Sequence, residues 1–150
     1  MSNTEMELFR SVRVEAFPNG TVIEGKPAPE VLYPDFEPRV LPNGRKREAD
    51  VQLSGDKTWV YSGGGTSLFD RPNVFKRSGW LAFTIPAGTE VPESLAVRYT
   101  GRNPGFDADH YQIESKAHRM RLDAYKGALD NLARNAVVKS IELAERGKRT

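Results

Sequence analysis

The sequence predicts an α+β fold with an antiparallel-leaning sheet. Two observations carry this. Several short β-rich runs are separated by Gly- and Pro-rich turns, and one long amphipathic stretch closes the chain. Strands do not alternate with helices, so a parallel βαβ layout is not expected. At 150 residues the chain is the size of one domain, and we read 1–150 as a single unit.

Residues 7–15 alternate as a strand, with Leu8, Arg10, Val12 and Val14 on one face. Phe17-Pro18-Asn19-Gly20 reads as a turn. Six prolines between positions 18 and 42 then rule out a long helix or central strand, leaving an extended segment that Leu32, Tyr33 and Phe36 can pin to a core. Residues 44–50 are polar and read as exposed. Thr58 to Ser62 is a short strand that runs into Gly63-Gly64-Gly65. Asp70-Arg71-Pro72-Asn73 reads as a helix stop or a turn. Trp80 to Ile85 is rich in β-formers, and a Pro86-to-Thr89 turn follows. Leu95 to Thr100 and Asp109 to Ser115 are two more strands, with 101–105 as a loop between them. From about Arg121, Leu122, Tyr125, Leu129, Leu132, Ala136 and Leu143 recur at helical spacing, ending near Gly147.

Composition narrows the chemistry. The chain holds 38% hydrophobic and 28% charged residues, with a mean hydropathy of -0.57, which fits a globular chain and no bilayer span. The first residues lack the basic and apolar regions of a signal peptide. Cysteine is absent, which excludes disulfides, thiolate zinc and a cysteine nucleophile. Two histidines and no HExxH give no basis for a metal site. No GxSxG supports a serine hydrolase. Net charge is +2. Residues 111–150 carry nine basic and five acidic side chains, which either serve a nucleic acid or make a solvated helix face, and like charges do not run in blocks of five.

Three groups of residues stand out. The first is Gly63-Gly64-Gly65-Thr66-Ser67, which is neither a P-loop nor GxGxxG. Its glycines either admit a ligand beside two hydroxyls, or make a hairpin or a helix N-cap with Ser67 capping residues 68–71. The second is Arg10, a guanidinium on an apolar face, which needs a buried ion pair or an anionic ligand. The third is the alternating row of His110, Gln112 and Glu114, opposed by Tyr111 and Ile113. Either it is a solvated strand face or it supplies general bases and an amide to a site. His118, three residues past that strand, reads as a helix-start residue without a role.

These segments occur in a particular order. Gly-Gly-Thr-Ser-Leu-Phe-Asp-Arg (64–71) is followed by Ile-Pro-Ala-Gly-Thr-Glu-Val-Pro-Glu-Ser-Leu-Ala-Val (85–97), His-Tyr-Gln-Ile (110–113) and Leu-Asp-Asn-Leu-Ala-Arg-Asn-Ala (129–136). In this the chain resembles the exported effector two family of type VI secretion toxins, over roughly residues 6–146. The resemblance implies a compact ADP-ribosyltransferase-like fold of two small, mostly antiparallel sheets with a long C-terminal helix. It implies an antibacterial toxin that uses NAD as substrate, by ADP-ribosyl transfer or NAD hydrolysis. It assigns Arg10 to the NAD phosphates, Tyr61 to the nicotinamide, Gly65 to the close approach of ligand, and Thr66 and Ser67 to the nicotinamide–ribose pocket. His110 matches the family's His-Tyr pair. Gln112 and Glu114 match the (Gln/Glu)-x-Glu pattern of many transferases, in which the glutamate steadies the ribosyl cation. A cognate immunity protein, a target macromolecule in the recipient cell and a secretion apparatus are the implied partners. The implied setting is cytoplasmic, in the producer and then in the recipient. Two further readings are a toxin of this fold that acts by binding alone, and a small nucleic-acid-binding module.

Overall fold

The computed structural model describes residues 2–75 and 78–148. In chain order the elements are β1 (Ser2–Asn3), β2 (Leu8–Arg13), β3 (Val22–Ile23), β4 (Lys26–Pro27), β5 (Arg39–Val40), β6 (Lys46–Arg47) and β7 (Gln52–Leu53). Then come β8 (Trp59–Tyr61), β9 (Thr66–Phe69), β10 (Trp80–Ile85), β11 (Glu90–Val91), β12 (Leu95–Asn103), β13 (Ala108–Ser115), β14 (Arg119–Arg121) and α1 (Leu122–Lys148). The predicted α+β class and the mostly antiparallel pairing are both present.

The main sheet has five strands in the order β10-β2-β9-β13-β12, and every pairing is antiparallel. A second sheet, β14-β8-β7, has three strands. Alternation then sorts the main sheet's side chains. Leu8, Arg10 and Val12 share a face with Phe83, Ile85, Thr66, Leu68 and Ile113. That face meets α1 through Tyr125, Leu129, Leu132 and Ala136, each completely buried. The opposite face carries Ser67, Phe69, His110, Gln112 and Glu114. There Phe69, Val74 and Ala108 form a smaller core with Phe75 and Phe106 against it.

The Pro-rich segment makes only two-residue strands, as its six prolines require, and its Val31 and Leu32 are buried in the main core. Tyr33 and Phe36 pack against that core as predicted.

Three local expectations are corrected. Residues 66–69 form a strand, not a helical turn capped by Ser67. The apolar Leu68 and Phe69 are buried on opposite faces, which a strand inside a sheet can do and one helical turn cannot. The second correction is at 101–105, where β12 runs on to Asn103. It survives Gly101 by a bulge between Tyr99 and Gly101, with Gly101 at φ +130°, a conformation glycine adopts freely. Third, His118 precedes β14 rather than opening the helix, and its ring lies 5.7 Å from that of Tyr61.

Candidate active site

β2 and β9 pair at a single point, Phe9 with Phe69, the last residue of β9, and part beyond it toward Arg13 and Thr66. The divergence opens a cleft of about 430 Å³ in the main sheet, lined among others by Arg10, Tyr33, Asp50, Ser67, Phe75 and Trp80. This volume lies within the range of small-molecule sites.

Arg10 crosses the gap. Its Nη1 donates to the Ser67 carbonyl at 3.3 Å and its Nη2 to the Tyr33 carbonyl at 3.0 Å. Its Nε is buried and meets no partner, alone among the described side chains. Burial lowers the Arg10 pKa, and the negative fields of Asp50 and Asp35 oppose that shift. The two carboxylates are themselves fixed. The Asp35 amide donates to the Asp50 carboxylate at 2.7 Å, and Arg39 pairs with Asp35 at 3.3 Å. Among the described residues no carboxylate forms an ion pair with Arg10; its hydrogen-bond partners are neutral carbonyls, and it lines the cleft.

Opposite Arg10 the wall is aromatic. Phe75 and Trp80 stack with centroids 4.3 Å apart, and Phe69 meets Phe75 edge to face. Both rings line the cleft, and the Arg13 guanidinium lies over Trp80, 4.6 Å from its ring centroid.

The other predicted residues divide. Ser67 lines the cleft and stands directly across from Gln112 in the β9–β13 register. Thr66 points the other way. It is completely buried, and its hydroxyl donates to the Leu32 carbonyl at 2.6 Å. Gly65 meets backbone. A Cβ there would come 1.8 Å from the Ile113 carbonyl oxygen, and one at Gly64 would come 2.4 Å from that of Asp50. The close approach predicted of this glycine run is made by the chain to itself. The sequence held no signal that would separate the two kinds of approach.

His110 and Glu114 share the Gln112 face but do not line the cleft. His110 packs on Phe69 with ring centroids 5.1 Å apart, and its Nδ1 contacts the Thr100 hydroxyl. Burial lowers its pKa. Glu114 is buried with both oxygens engaged. Arg98 Nε donates to Oε1 at 2.5 Å and Gln112 Nε2 to Oε2 at 2.7 Å. Tyr61 lies on the second sheet, beside His118 and away from the cleft wall.

The sequence profile of the family described as Tse2 ADP-ribosyltransferase toxin matches residues 8–141, from the start of β2 into the last turns of α1. The chain belongs to that family. One relative, Toxin Tse2 of Pseudomonas aeruginosa, is 33% identical over 127 residues, covering 85% of this chain and 79% of the relative. The family match encloses the whole cleft wall named above.

Sequence reasoning missed Asp35, Asp50 and Arg98. Arg98 was out of its reach, because counting back from the β12–β13 turn sets Arg98 across from Ile113. Only the one-residue bulge between Tyr99 and Gly101 brings it across from Gln112 and diagonal to Glu114. The two aspartates lie in or beside the Pro-rich segment, where no period exists to count along.

Proposed function

We propose that this toxin-family protein consumes NAD, transferring ADP-ribose to a target macromolecule, with the β2–β9 cleft as its site. The observation that carries the proposal is Arg10, a desolvated guanidinium with an unpartnered Nε in a cleft with an aromatic wall. A pyrophosphate suits that donor and a flat ring suits that wall. When bound, NAD supplies the ADP-ribosyl group, with nicotinamide leaving.

The chain's own residues bind and orient. Arg10 holds the anionic group, Ser67 offers a hydroxyl at the sheet's split, and Gln112 presents its amide beside Ser67. Glu114 fixes that amide by accepting from it, and Arg98 holds Glu114. His110, kept neutral by burial, braces Phe69. Thr66 and Gly65 act by holding β9 in place. Consistent with the family, we assign a cognate immunity protein and delivery by a secretion apparatus to a recipient's cytoplasm. One observation favours a second reading, a toxin of this fold that acts by binding without NAD chemistry. Both Glu114 oxygens accept hydrogen bonds within the sheet and Glu114 does not line the cleft, so the glutamate of the (Gln/Glu)-x-Glu pattern is not presented to a ribosyl cation there.

Controlled expression in bacteria tests the proposal, comparing the wild-type chain with Ser67→Ala and Arg10→Gln while growth and cellular NAD are followed. Growth arrest by the wild type alone, with NAD falling or an ADP-ribosylated species appearing, is the expected result. Arrest with NAD unchanged and nothing modified transfers the assignment to the binding-only toxin.

A further inference from the structure

The second sheet has two unlike faces. Val60, Met120 and Leu53 turn toward the core. Trp59, Tyr61, Arg119, Arg121 and Gln52 alternate with them and turn outward. Arg121 lies across from Trp59 and Arg119 across from Tyr61. The Arg119 guanidinium stands 4.2 Å from the Trp59 ring centroid and that of Arg121 6.0 Å. Both arginines are exposed, and both aromatic rings are partly so.

The charge on this face is unbalanced. Arg119 pairs with no carboxylate among the described residues, and Arg121 has only the exposed Asp123, at 3.5 Å. Lys126 lies over the Phe36 ring, 5.0 Å from its centroid. Arg121 and Lys126 line a hollow of about 250 Å³ together with Asp123 and with Lys57, which pairs with Glu37 at 2.8 Å. Arginines beside partly exposed aromatic rings suit a ligand with anionic links and flat units.

We propose that this outer face binds single-stranded nucleic acid. Arginines take the phosphates, and bases stack on Trp59 and Tyr61. The spacing selects the single strand. Residues two apart on a strand sit about 6.6–6.8 Å apart. That is about twice the 3.4 Å step of stacked bases in a duplex, so only a strand with splayed bases presents one to each ring. This assignment is independent of NAD chemistry, because none of the five outward side chains lines the β2–β9 cleft.

The test uses the full-length chain made by cell-free synthesis, without NAD. It is titrated with labelled twelve-residue oligodeoxythymidine and oligouridine, and anisotropy and tryptophan fluorescence are read together. The expected result is saturable binding that quenches tryptophan, with the quench lost in Trp59→Phe. Trp59→Leu weakens binding by about 5- to 150-fold. Arg119→Ala with Arg121→Ala weakens it further and lowers the salt slope by about 1.4. The arginines are exposed, so unchanged thermal melting separates lost binding from lost fold. No binding, or binding that these variants leave intact, overturns the proposal. Duplex DNA bound as tightly as the single strands also overturns it. Heparin bound equally with no Trp59 quench overturns it as well, and marks a face for acidic partners by charge alone.

Discussion

Thr66 and Ser67 are neighbours with opposite surroundings. The Thr66 hydroxyl is sealed in the core against the Leu32 carbonyl, while Ser67 opens on the cleft. Thr66→Val keeps the shape and leaves that carbonyl buried without its donor, at a cost of about 1–3 kcal/mol. Ser67→Ala leaves stability within about 0.5 kcal/mol, as for a substitution outside the core. Urea unfolding of both variants checks the difference, and equal losses would contradict the placement of Thr66. A toxicity lost with Thr66 alone therefore speaks of the fold before it speaks of chemistry. The adjacency of two hydroxyls was legible in the sequence. Which of them faces the core was not, because that depends on the register of β9 against β13.

β13 gathers three of the predicted residues on one face, and the first of them is the half-buried His110. Burial lowers the His110 pKa below its ordinary 6.5. The unfolded chain then takes up the proton first, so the contribution to stability is full above about pH 6.5 and is lost as pH falls through the folded value. His110→Gln should flatten the fall in stability between about pH 7 and 5, measured by urea midpoints at each pH. A parallel decline in wild type and variant would remove His110 from that balance. The strand itself was evident from alternation at 109–115. The extension of its partner β12 past Gly101 was not, because a glycine reads as a break until a bulge is seen to accommodate it.

At the scale of the molecule, Arg10 ties three parts together. One guanidinium joins β2 to the β9 backbone and to the Pro-rich segment at Tyr33. Arg10→Gln is too short to reach both carbonyls. It should speed amide hydrogen exchange across residues 31–36 and at 67–69, while α1 beyond Leu129 keeps its protection. Exchange that rises evenly over the whole chain would mean that Arg10 supports the core and not this junction. Arg10 was conspicuous in the sequence as a charge on an apolar face, and a terminal helix was plain from its period. The cleft was not legible, because it arises where two strands distant in sequence part company.

β12 ends the main sheet with nine residues and an outer row of backbone groups that no further strand among the described residues takes up. Such a border invites another molecule's strand, and crowded protein solutions precipitate by that route. Here the bulge at Thr100 breaks the straight run, and the flanking Arg98 and Arg102 set charge along it. The same arginine that steadies Glu114 from within thus guards the rim of the sheet against self-association, so its removal should show first in the colloidal behaviour of the protein.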